Sequence, residues 1–296
     1  MLRGLLTKTY PMKFGSDAHK DLFCRSFIDS YLNYEPETMP WPELDDLYLE
    51  RLRGIPFWQQ ALTTEQRAGK MVTAFAETID DPTIRDAIAL QGEEETRHGR
   101  LIAKLIRTYD VEVPDKPMNP LPERIDDGFK DFGFEECLDS FFAFGMFAIA
   151  REAQYFPESV FQIFDPILDE EARHIVFFVN WFTYLQVKRG PVANLLRPVS
   201  TLRHYSSALQ NLISMFGSKD SNSTGFTAKG ASSFTDNLTP EGFLATCLRE
   251  NEHRMAKFDP ELLRPTLIPA LATLALRTLQ LRPKKKKAAP SLETFG

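Results

Sequence analysis

Glu94-Glu95-Thr96-Arg97-His98 and Glu170-Glu171-Ala172-Arg173-His174 are two copies of one five-residue pattern, Glu-Glu-x-Arg-His. Each lies in a long stretch whose apolar residues recur every three or four positions, which predicts a helix. Around the first copy the inward stripe is Ile84, Ile88, Gln91, Glu95, His98, Ile102 and Leu105. Around the second it is Val160, Phe164, Ile167, Glu171, His174, Phe178, Trp181 and Leu185. A Glu and a His three apart share one helix face, a turn from each other. Both pairs therefore point into a core, where a carboxylate is normally paired or bound to metal because an unpaired buried charge is costly. A single Glu-x-x-His on an apolar face is explained as well by a core salt bridge. Two copies on separate helices, joined by two more carboxylates, are the ligand set with which a four-helix bundle holds a pair of metal ions.

Working outward, residues 1–54 are mixed and broken by Pro36, Pro40 and Pro42, which predicts short helices and loops wrapped on the outside of a bundle. The bundle itself is expected over residues 55–188. Its first helix runs from Pro56 to about Ile79. Asp81 caps the second, with Pro82 at its first position, and that helix reaches about Tyr109. Residues 110–133, rich in Pro, Asp and Gly, suit the crossover between two helix pairs. The third helix is expected from near Phe134 to about Phe156 and is apolar nearly all round, hence central. The fourth follows from Pro157 to about Lys188, and Pro166 is expected to kink or split it. Residues 189–281 form a C-terminal helical extension: a helix to about Phe216, a Ser/Gly/Thr/Lys-rich segment expected to be mobile, a helix opened by Thr239-Pro240, and an apolar segment from Leu267 to Leu281. Residues 282–296 read as a basic, disordered tail containing Lys284–Lys287.

Level along each hairpin selects the remaining ligands, because antiparallel partners sit equally far from their turn at ~1.5 Å per residue. From a turn centred near Asp80, the level of Glu95 falls on Glu65, the bridging candidate; Glu77 misses by about 18 Å. Thr63 or Thr64 could cap a helix starting there, which would put Glu65 in a first turn. In the second hairpin, centred near Tyr155, the level of Glu171 falls on Asp139. Glu136 is one turn further with a longer arm, and Glu135 is a third candidate. Glu152 would need a turn near Gln162, where no Gly or Pro stands, so it is read as an arginine's partner. Glu94 and Glu170 point about a quarter-turn away from the metal-facing stripe. There each can accept the second ring N–H of a histidine on a neighbouring helix. Arg97 and Arg173 can neutralise those carboxylates.

The duplicated motif resembles the (Asp/Glu)-Glu-x-Arg-His motifs of di-iron carboxylate proteins of the ferritin-like superfamily, which include methane and toluene monooxygenase hydroxylases, the ribonucleotide reductase small subunit, rubrerythrin and bacterioferritin. The resemblance covers residues about 55–188 and is specific to the metal site, not to a reaction. It implies an all-α, ferritin-like four-helix bundle with additional N- and C-terminal helices. By it Glu95, His98, Glu171 and His174 are ligands, Glu65 matches the first helix's carboxylate, and Asp139 or Glu136 that of the third. Cofactors would be two Fe ions, with Fe/Mn or Mn also fitting this oxygen-rich ligation. The reduced pair would give electrons to O₂ as co-substrate, inside an aromatic shell that holds a small or carrier-bound organic substrate. The expectation is a di-iron oxygenase or oxidase, with hydroxylation, N-oxygenation, desaturation and hydroxylation of a modified tRNA base left open. A ferroxidase or peroxidase and a metal-free helical interaction protein are the alternatives. No electron-transfer motif is present, so a separate reductase is implied.

Composition narrows the rest. Among 296 residues, 43 % are hydrophobic and 24 are Phe, enough for a substantial core. The net charge of −6 gives no general attraction to nucleic acid. Cys24, Cys137 and Cys247 are odd in number and far apart, which argues against a disulfide framework and for a reducing cytoplasm. No signal peptide and no membrane-spanning run is read. Peripheral membrane contact through residues 267–287 and a homodimer both stay open. Glu250-Asn251-Glu252-His253 is read as an exposed helical face, and His19 and His204 as structural or exposed.

Overall fold

The computed structural model describes residues 12–115, 117–190, 234 and 238–281. Among them are eight α-helices, a single 3-10 turn (Pro36–Thr38) and no strand. The helices are α1 (Asp17–Asp29), α2 (Asp46–Arg53), α3 (Trp58–Ala76), α4 (Pro82–Thr108), α5 (Ile125–Glu152), α6 (Glu158–Lys188), α7 (Pro240–Met255) and α8 (Leu267–Gln280). Local chemistry sets several starts. Asp81 accepts from the backbone N–H groups of Thr83 and Ile84, with Pro82 beginning α4. Ser16 caps α1 through His19 N, and Thr239 caps α7 through Gly242 N.

Helices α3 and α4 pair closely because small residues let their backbones approach. Gly69 lies against Thr96 and Gly92 against Thr73; a Cβ on either glycine would meet the threonine Oγ1 at 2.4 or 2.6 Å. Gly99 faces Gln66 in the same antiparallel register. That register puts Glu65 level with Arg100, about one turn past Glu95. Along α4 a polar layer from Gln91 to His98 separates two apolar masses. Ile84, Ala87 and Ile88 belong to one, and Leu101, Ile102 and Leu105 to the other.

Helix α5 begins nearer the chain start than expected, so residues 125–133 are helical and the link before them is shorter. Asp126 and Asp127 in its first turn complement the helix dipole. Gly133, which reads as a loop residue, is a packing notch: a Cβ there would fall 2.2 Å from the Phe178 ring. The all-round apolar character of α5 has a physical cause, for it packs on α6 and α3 and is covered outside by α7 and α8. Phe142 stacks on Phe243 of α7 with ring centroids 5.7 Å apart. Helix α6 runs unbroken past Pro166, so of the expected kink or split the split does not occur. Proline there removes a bond to the carbonyl of Gln162, an exposed residue, so water can take the place of that N–H.

Helix α1 packs on α6 and α4 as an outer layer. His19 is fully buried and structural, within 3.0 Å of Asn180 Oδ1. Among the described residues no helix is long and apolar enough to cross a membrane. The expected helix at 191–216, the Ser/Gly-rich segment apart from Phe234, His204 and the lysine tail lie outside the described residues.

Candidate metal centre

Four helices bring buried carboxylates and histidines to one point. Glu65 of α3, Glu95 and His98 of α4, and Glu171 of α6 converge, with one ligand atom of each within 4.8 Å of the others. Glu95, Glu136 of α5 and His174 of α6 make a second group on the same terms. The two imidazole centroids are 5.8 Å apart. Two carboxylates run crosswise: Glu95 Oε1 is 3.1 Å from His174 Nδ1 and Glu171 Oε1 is 3.3 Å from His98 Nδ1. Each also approaches the histidine of its own helix, at 3.7 Å. Glu65 and Glu136 each approach a single histidine, at 3.6 Å from His98 Nδ1 and 3.8 Å from His174 Nδ1. The spanning positions therefore belong to Glu95 and Glu171. Glu65, expected to bridge, sits at one end, because its register falls beside His98 rather than Glu95. Helix α3 starts well before Thr63, so Glu65 is not in a first turn.

Asp139 stands apart from both groups. It lies three residues from Glu136 on α5 and faces a cavity instead. The residue is open on one side, yet protein packs around its carboxyl. That burial, with the Glu135 and Glu171 charges, pushes the carboxyl up to about 7. Glu135 is in neither group. Glu152 is exposed and pairs with Arg249, Nη2 to Oε1 at 2.6 Å. His253 is exposed on α7.

Behind the cluster the remaining motif residues cross between helices. Glu94 of α4 receives Arg173 Nη1 and lies 2.8 Å from His174 Nε2. Glu170 of α6 receives Arg97 Nη2 and lies 2.8 Å from His98 Nε2. A carboxylate accepts only, so each Nε2 carries a proton, and Nδ1 is the ring atom of each histidine that faces the cluster. Helix α1 and the turn after it close this layer, a role the sequence did not announce. Tyr34 OH donates to Glu170 Oε2 at 2.9 Å, and Arg97 Nη1 donates to Tyr31 OH at 2.7 Å. Arg173 donates to Ser30 Oγ and the Phe27 carbonyl. The guanidiniums lie 4.3 Å over the Tyr34 ring and 4.5 Å over Phe27.

The donor set fits two divalent ions. His98 Nδ1, His174 Nδ1, Glu95 Oε2 and Glu136 Oε2 are buried without a hydrogen-bond partner, and buried polar atoms are ordinarily satisfied. Glu94 and Glu170 already have arginines. Four carboxylates remain, Glu65, Glu95, Glu136 and Glu171, and two divalent cations balance them. Without metal, the same crowding appears as protons. Burial lowers both histidines, but hydrogen bonds and charges from the surrounding carboxylates outweigh it and raise them well above the usual range. Burial and the charges of Glu95 and Glu171 push Glu65 up to about 7 and raise Glu136 well above the usual carboxylate range. Burial would raise Glu95 too, but His174 and His98 bring it down to about 2.

Beside the carboxylates lies a cavity of about 160 Å³, lined by Glu65, Glu136, Asp139, Ser140 and Glu171 at one end and by apolar residues including Trp58, Met146, Phe147, Phe164 and Phe234 elsewhere. No protein family, no curated protein and no solved structure matches this chain. The buried Glu/His groups could hold a metal ion.

Proposed function

We propose that this chain is a non-haem di-iron carboxylate oxidoreductase, an oxygenase or oxidase that uses O₂ on an organic substrate, built on a ferritin-like four-helix bundle of α3, α4, α5 and α6. Manganese or a mixed pair would fit the same ligands. The observation that carries the proposal is that four unpartnered buried ligand atoms, from His98, His174, Glu95 and Glu136, fall in two adjoining Glu/His groups that share Glu95. Bound there, a reduced metal pair supplies the electrons with which O₂ is activated.

The chain's own residues do the rest. Glu170 and Glu94 hold the Nε2 protons, so both imidazoles are oriented and offer Nδ1. Arg97 and Arg173 pair with those carboxylates in a buried layer. Glu95 and Glu171 span the two halves of the centre; Glu65 and Glu136 complete its ends. The apolar cavity excludes water and receives the substrate beside Glu65, Glu136 and Glu171. A cavity of this kind favours an organic substrate over iron or peroxide handling, which needs no apolar chamber. Electrons come from a separate reductase.

Stopped-flow mixing of the anaerobic, ferrous-loaded protein with O₂ tests the proposal. One O₂ consumed per chain, with an ultraviolet–visible absorbance transient that Glu95→Ala abolishes, is the expected outcome. Slow oxidation at the rate of free ferrous ion in buffer would refute it.

A further inference from the structure

The cavity has two unlike ends. Thr64 and Asp139, both at the carboxylate end, are the two lining residues left exposed. At the other end Leu52, Ala150, Val160 and Phe161 are each 4 % exposed or less. On α5 the part of the lining from Asp139, where the proposed head would lie, to Ala150 spans ~16 Å at 1.5 Å per residue. Away from the carboxylate end, the one side-chain nitrogen or oxygen among the described lining residues, Trp58 Nε1, is already spent on the Leu52 carbonyl at 2.8 Å. A ligand lying there can offer only hydrocarbon.

Volume and shape narrow the ligand further. An engineered cavity of about 150 Å³ takes benzene. A similar volume drawn out over ~16 Å suits a narrow chain of roughly six to ten carbons and excludes a fused ring. Charge then selects the head. Among the described residues no Lys, Arg or His lines the cavity, while Glu65, Glu136, Glu171 and Asp139 do. Two divalent ions would be balanced by the four cluster carboxylates, so an anionic head would find no positive charge there to pair with.

We infer that the cavity binds a linear, medium-length aliphatic chain whose polar head carries no negative charge, tail-first toward Ala150 and Val160, with the head beside Asp139. This deepens the proposed function and rests on it for the chemistry at the carboxylate end.

Calorimetric titration of the full, metal-loaded chain with 1-alkanols and with sodium alkanoates of four to twelve carbons tests the inference. Alkanols should tighten about four-fold per added methylene, the factor given by ~0.8 kcal/mol, and level off near ten carbons. Alkanoates of equal length should bind at least ten-fold more weakly. Ala150→Leu, at the closed end, should move the plateau to shorter chains, with the melting temperature and metal content unchanged. Affinity that does not depend on length, or alkanoates binding as well as alkanols, would overturn the inference. Metal content is measured on the same samples. Two metals with no chain binding would overturn this inference and leave the proposed function standing. Chain binding by a protein that takes up no metal would support the cavity's assignment and overturn the proposed function.

Discussion

Replacing Arg173 by methionine strands one charge in the layer behind the Glu/His cluster. Arg173 Nη1 donates to Glu94 Oε1 at 2.8 Å, Nε to Ser30 Oγ at 2.9 Å and Nη2 to the Phe27 carbonyl at 2.6 Å. The Glu94 side chain has no exposed surface. Methionine keeps much of the apolar volume but leaves Glu94 only His174 and the more distant Arg97 Nη2, at 3.9 Å, and leaves the Phe27 carbonyl without its arginine donor. Breaking a buried pair from one side costs about 3–5 kcal/mol. At ~2–4 °C per kcal/mol for a chain of about this size, the melting temperature should fall by roughly 10 °C. Arg173→Met with Glu94→Gln removes the stranded charge and leaves an amide oxygen to accept from His174, so it should recover half or more of that loss. Chemical and thermal unfolding of the chelator-treated protein at neutral pH provide the assay. A single variant costing under about 1 kcal/mol, or a double variant worse than the single, would refute the claim that Arg173 is there to neutralise Glu94.

The ends of the cluster are separable by substitution. Glu136→Gln should weaken metal at the His174 side by ten-fold or more, whereas Asp139→Asn should leave stoichiometry intact; equilibrium dialysis against ferrous or manganous ion reads both, and the reverse pattern would make Asp139 the ligand. Metal-free protein should lose stability as pH rises. Glu65 moves from 4.5 to about 7 on folding, and Glu136, His98 and His174 are raised too. A raised pKa contributes stability that is complete below the unfolded value and is lost as pH passes through the folded one. Melting temperatures should therefore fall from about pH 5 to pH 8, and metal, which needs deprotonated ligands, should reverse the trend; a metal-free protein that gains stability over this range contradicts the assignment. Gly133→Ala places a Cβ 2.2 Å from Phe178 and should cost about 1–3 kcal/mol by overpacking; urea unfolding checks it, and a neutral result would mean that α5 does not press on α6 there.

The sequence carried the centre because its chemistry is written as local spacing. Glu and His three apart on a helix declare a face, and an inward stripe of apolar residues declares where the face points. The crossing of Glu94 to His174 and of Glu170 to His98 followed from the same quarter-turn offset. Register was less legible. Levelling the partners on Glu95 and Glu171 led to Asp139, whereas Glu65 and Glu136 both sit about a turn further from their turns, beside the histidines; which carboxylate enters depends on how far α5 rotates, and no local spacing records that. The start of α5 was hidden because Gly128 and Gly133 look like loop residues until Phe178 is placed against the helix. Tyr31, Tyr34, Ser30 and Phe27 carried no signal at all, since they meet the arginines across more than sixty residues of chain. The cavity was equally invisible, because a void belongs to the packing of several helices and to no segment of sequence.

Metal analysis of the purified chain, prepared with and without oxygen and compared with His98→Ala and His174→Ala, decides whether the buried cluster is a dimetal centre. About two iron or manganese ions per wild-type chain, falling in each variant while the helical circular dichroism is kept, is the predicted result. A chain that binds neither ferrous nor manganous ion, or whose metal content is indifferent to both substitutions, would contradict it and leave these helices a scaffold around protonated histidines.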